Sequence, residues 1–316
     1  MKKFVAIVCV MLMLLGMTAC GAADDGKYTI GICQLVQHVA LDAATQGFKD
    51  ALTEKLGDKV VFEEKNASGE QVNCTTIING FVSNNVDLIM ANATAPLQAA
   101  ASATATIPVL GTSVTDYASA LEIEGWTGTV GTNVSGTSDL APLNEQAAMV
   151  KELFPDAKNV GLLYCLAEAN SQYQVDVITK ELEALGFVCT PYGFTDTNDV
   201  ASVTQAACTT SDVIYIPTDN TAASNTEAIA NVVLPAKVPV VAGEAGICGG
   251  CGVATLSIDY YDLGYQTGLM AEKILTGAAD VSTMAVEYAP KVTKMYNAAN
   301  CEALGITPPA GYEPLG

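Results

Sequence analysis

Arginine is missing from this chain. All fourteen basic residues are lysines, set against 34 acidic ones in 316 residues, for a formal charge of -20. A chain this acidic is repelled by phosphate backbones, which excludes nucleic acid as a partner. Without guanidinium groups it cannot clamp a phosphate or a carboxylate in bidentate fashion. An anionic ligand group must be met by backbone N–H groups, hydroxyls or lysine. Histidine is nearly as scarce: His38 stands alone, as does Trp126. A single histidine without a nucleophile partner is weak ground for catalysis, and His38 reads as a cleft-rim or helix-start residue. G-x-S-x-G, P-loop and H-E-x-x-H patterns are absent. Gly249, Gly250 and Gly252 do not build a G-x-G-x-x-G between a strand and a helix. The expectation is a protein with no catalytic residues, no metal and no cofactor.

What is present begins with a leader. Lys2 and Lys3 precede an apolar run over residues 4–15, followed by Met17-Thr18-Ala19-Cys20. These are the three parts of a secretory signal, and the run is too short to span a bilayer. Small residues ahead of a cysteine resemble the lipobox of bacterial lipoproteins, with Met17 where Leu is commoner; an ordinary cleaved signal is the alternative. The lipobox reading makes residues 1–19 the signal peptide, Cys20 the lipidated residue and 20–26 a tether. The protein is then expected outside the cytoplasm, anchored by lipid to the bacterial cell membrane. Eight cysteines follow Cys20. Outside the membrane they could pair, but their spacing is scattered. Cys33, Cys165 and Cys208 lie in or beside apolar runs and read as small buried hydrophobes. Cys248 and Cys251 have C-x-x-C spacing in a glycine-rich stretch. A zinc site needs more ligands nearby, and a thioredoxin motif belongs at a helix start after the first strand. A disulfide or two idle thiols remain.

From Lys27 on, strand-like and helix-like patterns alternate, the mark of an α/β fold with parallel sheets. Strands are expected at 29–32, 60–62, 86–91 and 108–111, and helices at 41–55, 71–83 and 97–105. The first helix carries Leu41, Ala44, Phe48, Ala51 and Leu52 at spacings of three and four. The same order returns, with strands at 160–164, 187–192, 213–216 and 238–241 and helices at 171–185, 200–207 and 222–233. The likeness is closest where a short apolar run ends in polar residues. Val213-Ile214-Tyr215-Ile216 ends in Pro217-Thr218-Asp219-Asn220, and Leu88-Ile89-Met90-Ala91 ends in Asn92-Ala93-Thr94. Ligands of open parallel sheets bind beyond the carboxyl ends of strands. Two Rossmann-like lobes on a secreted chain therefore point to a clamp, with a solute held between them.

The residues also resemble a known family. Gly31-Ile32-Cys33-Gln34, His38, Leu41-Asp42 and Gly47-Phe48-Lys49 are similar to the start of ABC-transporter substrate-binding proteins of the tryptophan/tyrosine-uptake type. So are Asp87-Leu88-Ile89 with Thr94, Thr115-Asp116, Gly136-Thr137-Ser138-Asp139 and Glu168-Ala169-Asn170-Ser171. Pro217-Thr218-Asp219-Asn220 and Ile258-Asp259-Tyr260-Tyr261 with Gly264 complete the set. The chain departs from the family pattern at Tyr117, where Pro usually follows the Asp, and around Cys248 to Cys251. The resemblance implies a type I periplasmic-binding fold with three hinge crossovers, near 138–142, 257–260 and 280–283. Lobe 1 would comprise 27–139 plus 258–281, and lobe 2 would comprise 140–257 plus 282–316. It implies a monomer that delivers a small solute, an amino acid and an aromatic one, to an ABC permease in the membrane. A sugar or nucleoside binder, or a sensing ectodomain without transport, is the alternative.

The chemistry of a free amino acid selects candidate residues. Its ammonium wants a carboxylate, and its carboxylate wants N–H and hydroxyl donors, often at a helix N-terminus. Thr94 and Thr115 fit the donor role; Asp116, Asp219 and Glu244 follow strand ends and fit the acceptor role. Asn220 adjoins Asp219. Glu168 and Asn170 occupy the turn before a helix, as Gln34 does in the other half. Each has a plainer reading as a helix cap, a dipole partner or a solvated loop residue. Tyr117, Trp126, Tyr164, Tyr260 and Tyr261 could stack on a flat ligand, or pack in cores and hinges.

Overall fold

The computed structural model describes residues 26–289, 291–308 and 310–315. The leader, Cys20 and nearly all of the tether lie outside the described residues. No helix among them is long and apolar enough to cross a membrane.

The first half runs β1 (Tyr28–Gln34), α1 (Val39–Leu56), β2 (Val60–Asn66), α2 (Gln71–Asn84), β3 (Leu88–Asn92), α3 (Thr94–Ala103), β4 (Val109–Val114), a single turn α4 (Tyr117–Ala120) and β5 (Val134–Ser138). The second runs α5 (Leu143–Leu153), β6 (Asn159–Cys165), α6 (Ala169–Ala184), β7 (Val188–Phe194), α7 (Val200–Cys208), β8 (Val213–Ile216), α8 (Asn220–Ser224), α9 (Thr226–Ala236), β9 (Val240–Ala242), α10 (Ala245–Gly250) and β10 (Ala254–Ile258). The chain then adds α11 (Tyr260–Leu275), β11 (Glu287–Tyr288), β12 (Val292–Tyr296), α12 (Ala298–Leu304) and β13 (Glu313–Pro314).

These strands form two sheets, β11-β5-β4-β3-β1-β2 and β13-β12-β10-β9-β8-β6-β7. Every pairing is parallel except β10 with β12. The order 2-1-3-4-5 in one sheet matches 7-6-8-9-10 in the other. The chain reverses direction across the sheet after β2 and after β7, which creates a switch-point crevice at the carboxyl ends of β1/β3 and of β6/β8. A shared local device supports the duplication. Asp87 accepts a 2.7 Å hydrogen bond from the Thr29 amide at the start of β1. Asp212 accepts from Lys158 and Asn159 at the start of β6, at 2.9 and 2.8 Å.

Central strands β3, β4, β5, β8 and β9 are buried along their whole length. Helices cover both faces of such sheets, so their strands need apolar side chains on both sides. The stripe Leu41, Ala44, Phe48, Ala51 and Leu52 is the buried face of α1. α11 packs against it through glycine: a Cβ on Gly268 would stand 2.6 Å from the Ala51 Cβ. That contact ties α11 to the first sheet although it follows β10 of the second.

Several elements differ from the sequence expectation. The helix expected at 222–233 is two helices broken at Asn225, because Asp219 caps the short α8 and the chain restarts at Thr226. β5 and β10 carried no strand signal. Val134-Ser-Gly-Thr-Ser has one strongly apolar residue, yet it lies fully buried in the sheet. The third crossing between sheets comes after Tyr288 rather than near 280–283, since Glu287 and Tyr288 pair with Thr137 and Ser138 of β5. Tyr117, Tyr164 and Tyr260 are buried in cores or at the hinge, and Trp126 packs against the first core. Tyr261 instead stacks on Tyr265 at the surface, with centroids 6.3 Å apart. All eight cysteines from Cys33 onward are free thiols, including Cys248 and Cys251.

Candidate functional site

Loops at the carboxyl ends of the strands of the two lobes meet and enclose two adjoining cavities. The larger, about 450 Å³, is a cleft walled by Leu35, Val36, Val72, Thr94 and Ala95 from one lobe and by Ala167, Glu168, Asn170, Asn220 and Thr221 from the other. That volume falls within the usual range for small-molecule sites. Deeper lies a chamber of about 10 Å³, bounded by His38, Ser113, Asp139, Asn170, Thr218, Asp219, Asn220, Glu244 and Tyr260. Asn170 and Asn220 line both spaces and stand between them.

On the side of lobe 2 the acids are engaged within the protein. Asp219 is 1% exposed. It accepts from the Cys165 amide at 2.6 Å, the Ser171 hydroxyl at 2.7 Å and, as the N-cap of α8, the Ala222 amide at 2.8 Å. Burial first, then the Glu168 charge, pushes its carboxyl well above the usual range against those donors. Glu168 holds the rest of that helix start. Its two oxygens accept from the amides of Asn220 and Thr221 and from their side chains, at 2.7–3.0 Å. Glu244 caps α10 through the amides of Gly246 and Ile247. Burial raises its pKa, and the nearby His38 opposes that shift. Asn170 donates to Glu168 and to the Thr218 carbonyl.

The loops of lobe 1 are less committed. α3 starts at Thr94 with no side-chain cap, behind Ala93 at φ 102° and ψ 170°. A non-glycine residue in that region is strained by roughly 1–3 kcal/mol. Ser113, at φ 54°, is a second buried residue in a left-handed conformation. Such outliers gather where a loop is shaped for a ligand.

One hydrogen bond joins the lobes across the chamber. His38 Nε2 lies 3.1 Å from Asn220 Oδ1. The Asn220 amide nitrogen is given to Glu168, so Oδ1 faces the imidazole and Nε2 must carry the proton. At the hinge, the Tyr260 hydroxyl donates to Asp139 Oδ2 at 2.9 Å, linking the start of α11 to the end of β5. Three polar atoms of residues that line the chamber have no partner among the described residues: His38 Nδ1, Ser113 Oγ and Asp139 Oδ1. Burial pushes Asp139 up to about 6, opposed by hydrogen bonds from Tyr260 and Thr115.

The fold thus brings Thr94, Glu168, Asn170, Asp219, Asn220 and Glu244 to one place. Gln34, Thr115 and Asp116 line neither cavity. Gln34 is tied to Asp42, Thr45 and the Val36 carbonyl. Thr115 supports Asp139 and accepts from Ser138 through its carbonyl. Asp116 caps α4 through the Ser119 amide. Asp139 entered the sequence reading only within the family-like run 136–139, with no site role, and Ser113 did not enter it. The strand-end rule that selected Asp219 would have selected Asp139 as well, had the polar strand β5 been visible as a strand.

Comparison with known proteins agrees with this geometry. Residues 29–310 match the family model for ABC transporter substrate binding protein. A tyrosine-binding protein of Clostridioides difficile is 35% identical over 266 residues, covering 81% of this chain and 77% of that one. A Streptococcus pneumoniae ABC domain solved in complex with L-Trp superposes with a TM-score of 0.87 at 30% identity, over 92% of this chain and all of the other. A ligand-free, open substrate-binding protein from Clostridium difficile is 35% identical over 91% of this chain and 99% of its own, yet its TM-score is 0.69. The lobe arrangement here is therefore closer to the L-Trp complex than to the open structure, despite the lower identity.

Proposed function

The chain belongs to the ABC transporter substrate-binding family, and from that premise we propose that it clamps an aromatic amino acid between its lobes and presents it to an ABC permease. The observation that carries the ligand class is that Asp139, Ser113 and His38, whose Oδ1, Oγ and Nδ1 have no partners among the described residues, line one chamber between the lobes. The ammonium is met by Asp139 at the chamber. The carboxylate lies toward the uncapped start of α3 at Thr94, where free N–H groups and the helix dipole favour an anion. The ring occupies the cleft against Leu35, Val36, Val72 and Ala95. The tyrosine-binding relative and the L-Trp complex described above support this assignment.

In this reading Glu168, Asn170, Asp219, Asn220 and Glu244 shape the second jaw, and the supporting residues Gln34, Thr115 and Asp116 hold the loops behind the first. The protein acts as a monomer outside the cytoplasm, held by lipid on Cys20. Closure swings residues 27–139 with 258–288 against 140–257 with 291–316, and the closed form is what the permease reads. Calorimetry with a panel of solutes tests the ligand class. Heat is expected with L-Trp or L-Tyr. Silence with Trp, Tyr, Phe and the branched-chain amino acids overturns the class, and heat with sugars or nucleosides would reassign the site. Intact-mass analysis of the membrane fraction tests the anchor, which Cys20→Ser should abolish.

A further inference from the structure

The titratable groups around the two cavities are almost all of one sign. Asp139, Asp219 and Glu244 bound the chamber, and Glu70, Glu168 and Asp196 bound the cleft. Among the described residues no lysine lines either space, and the chain has no arginine. His38 is the single base present. In lobe 2 the starts of α8 and α10 are already occupied by the protein's own carboxylates, whereas the start of α6, beside the cleft, has no side-chain cap. Glu168 and Asp219 sit on α8, and Glu244 sits on α10. A ligand carboxylate therefore finds neutral donors alone, at the uncapped starts of α2, α3 and α6, inside an acidic surround without a lysine. A ligand ammonium finds Asp139 Oδ1 and Ser113 Oγ, both more than nine-tenths buried and lacking partners among the described residues.

We propose that recognition in this cleft rests on the ligand's ammonium rather than its carboxylate, so that decarboxylated aromatic amines form a second class of ligand. The proposal rests on the aromatic amino-acid reading above and extends it. A primary arylalkylamine keeps the ring for the cleft and the ammonium for Asp139. It loses only the group that the surrounding acids repel. Removing the ammonium instead leaves a carboxylate alone among acids, with the buried Asp139 still unpaired. Charge-assisted hydrogen bonds to a buried carboxylate are the strong kind, and their loss is felt in full.

The test is calorimetry of the mature protein with three matched probes: L-tyrosine, tyramine and 3-(4-hydroxyphenyl)propanoate, with the tryptophan, tryptamine and indole-3-propanoate series in parallel. Tyramine or tryptamine is expected to bind within about tenfold of its parent amino acid, and the desamino acids at least 100-fold more weakly, a gap of about 2.7 kcal/mol. An amino acid that binds while its amine gives no heat overturns the amine proposal and leaves the amino-acid function standing. A desamino acid that binds as well as its parent also overturns it. Silence with all six probes overturns both readings together. Asp139→Asn supplies a second readout: it should weaken the amine and the amino acid by similar factors. A variant that loses the amino acid while keeping full amine affinity overturns the role given to Asp139.

Discussion

The two lobes share one plan and use its strand ends differently. In lobe 2 the polar residues after β8 and β9 are spent on their own helices: Asp219 caps α8 and Glu244 caps α10. In lobe 1 the equivalent turn after β3 has Thr94 at an uncapped helix start, and the irregular end of β4 has Ser113 Oγ without a partner among the described residues. Around the chamber, lobe 2 thus presents acids engaged with its own helices, and lobe 1 presents the unpaired His38 Nδ1 and Ser113 Oγ. Between them, on the first crossover, sits Asp139, hydrogen-bonded to the second crossover through Tyr260. A duplicated fold has kept its scaffold symmetric while its site became one-sided. A zwitterion, which is itself two-sided, suits such a site.

The sharpest way to break the comparison is to remove the acid that only lobe 2 needs for its own structure. Asp219→Ala leaves three buried donors without their acceptor, and should lower stability by about 3–5 kcal/mol. Thr94→Val at the corresponding turn should change stability by less than about 1 kcal/mol. Urea melts of the two variants decide it, and equal losses would end the claimed asymmetry.

Asp139→Asn comes next in size. Asn keeps an acceptor for Tyr260, so the fold should survive, while affinity for the amino acid falls roughly 100-fold, or about 2.7 kcal/mol. Unchanged affinity in calorimetry would move the ammonium elsewhere.

The third expectation concerns pH. Asp139 sits at about 6 in the folded protein, against about 3.9 unfolded. Between these values the folded state holds a proton that the unfolded state has released, so this group's contribution to stability falls as pH rises through the window. The loss is complete above about pH 6 and amounts to about 3 kcal/mol at most. A bound ammonium pairs with the ionised form and offsets the loss. The rise in Tm on adding ligand should therefore be larger at pH 7.5 than at pH 5; an equal or smaller rise at pH 7.5 would contradict it.

The smallest effect belongs to the one hydrogen bond between the jaws described above. His38→Ala removes the contact with Asn220, worth about 1 kcal/mol. The ligand-free variant should open more readily, seen as a larger radius of gyration in solution scattering. No change would mean that closure rests on the hinge and the apolar rim alone.

Much of the scaffold was legible from residue order. Apolar runs ending in Thr, Asp and Asn marked β3 and β8, and their polar ends do lie beside the cleft. The periodic stripe of α1 marked a helix whose buried face is the one expected. Other features were not legible for identifiable reasons. β5 is a strand because neighbours on both edges complete its hydrogen bonds, not because its side chains favour one. Helix-capping acids look the same in sequence as ligand-binding acids, since both follow a strand and precede a helix. Only the partners of Asp116, Asp219 and Glu244 separate the two roles.

By itself the sequence determined the α/β alternation, the duplication, the acidity of the surface and the absence of any guanidinium clamp. These are properties of composition and periodicity, which local chemistry sets. Tertiary structure decided which acids remain free. His38, Ser113 and Asp139 are separated along the chain and become neighbours only when two sheets close on each other. Whether a buried polar atom finds a partner depends on every group within about 3 Å of it, and that is fixed by packing rather than by spacing.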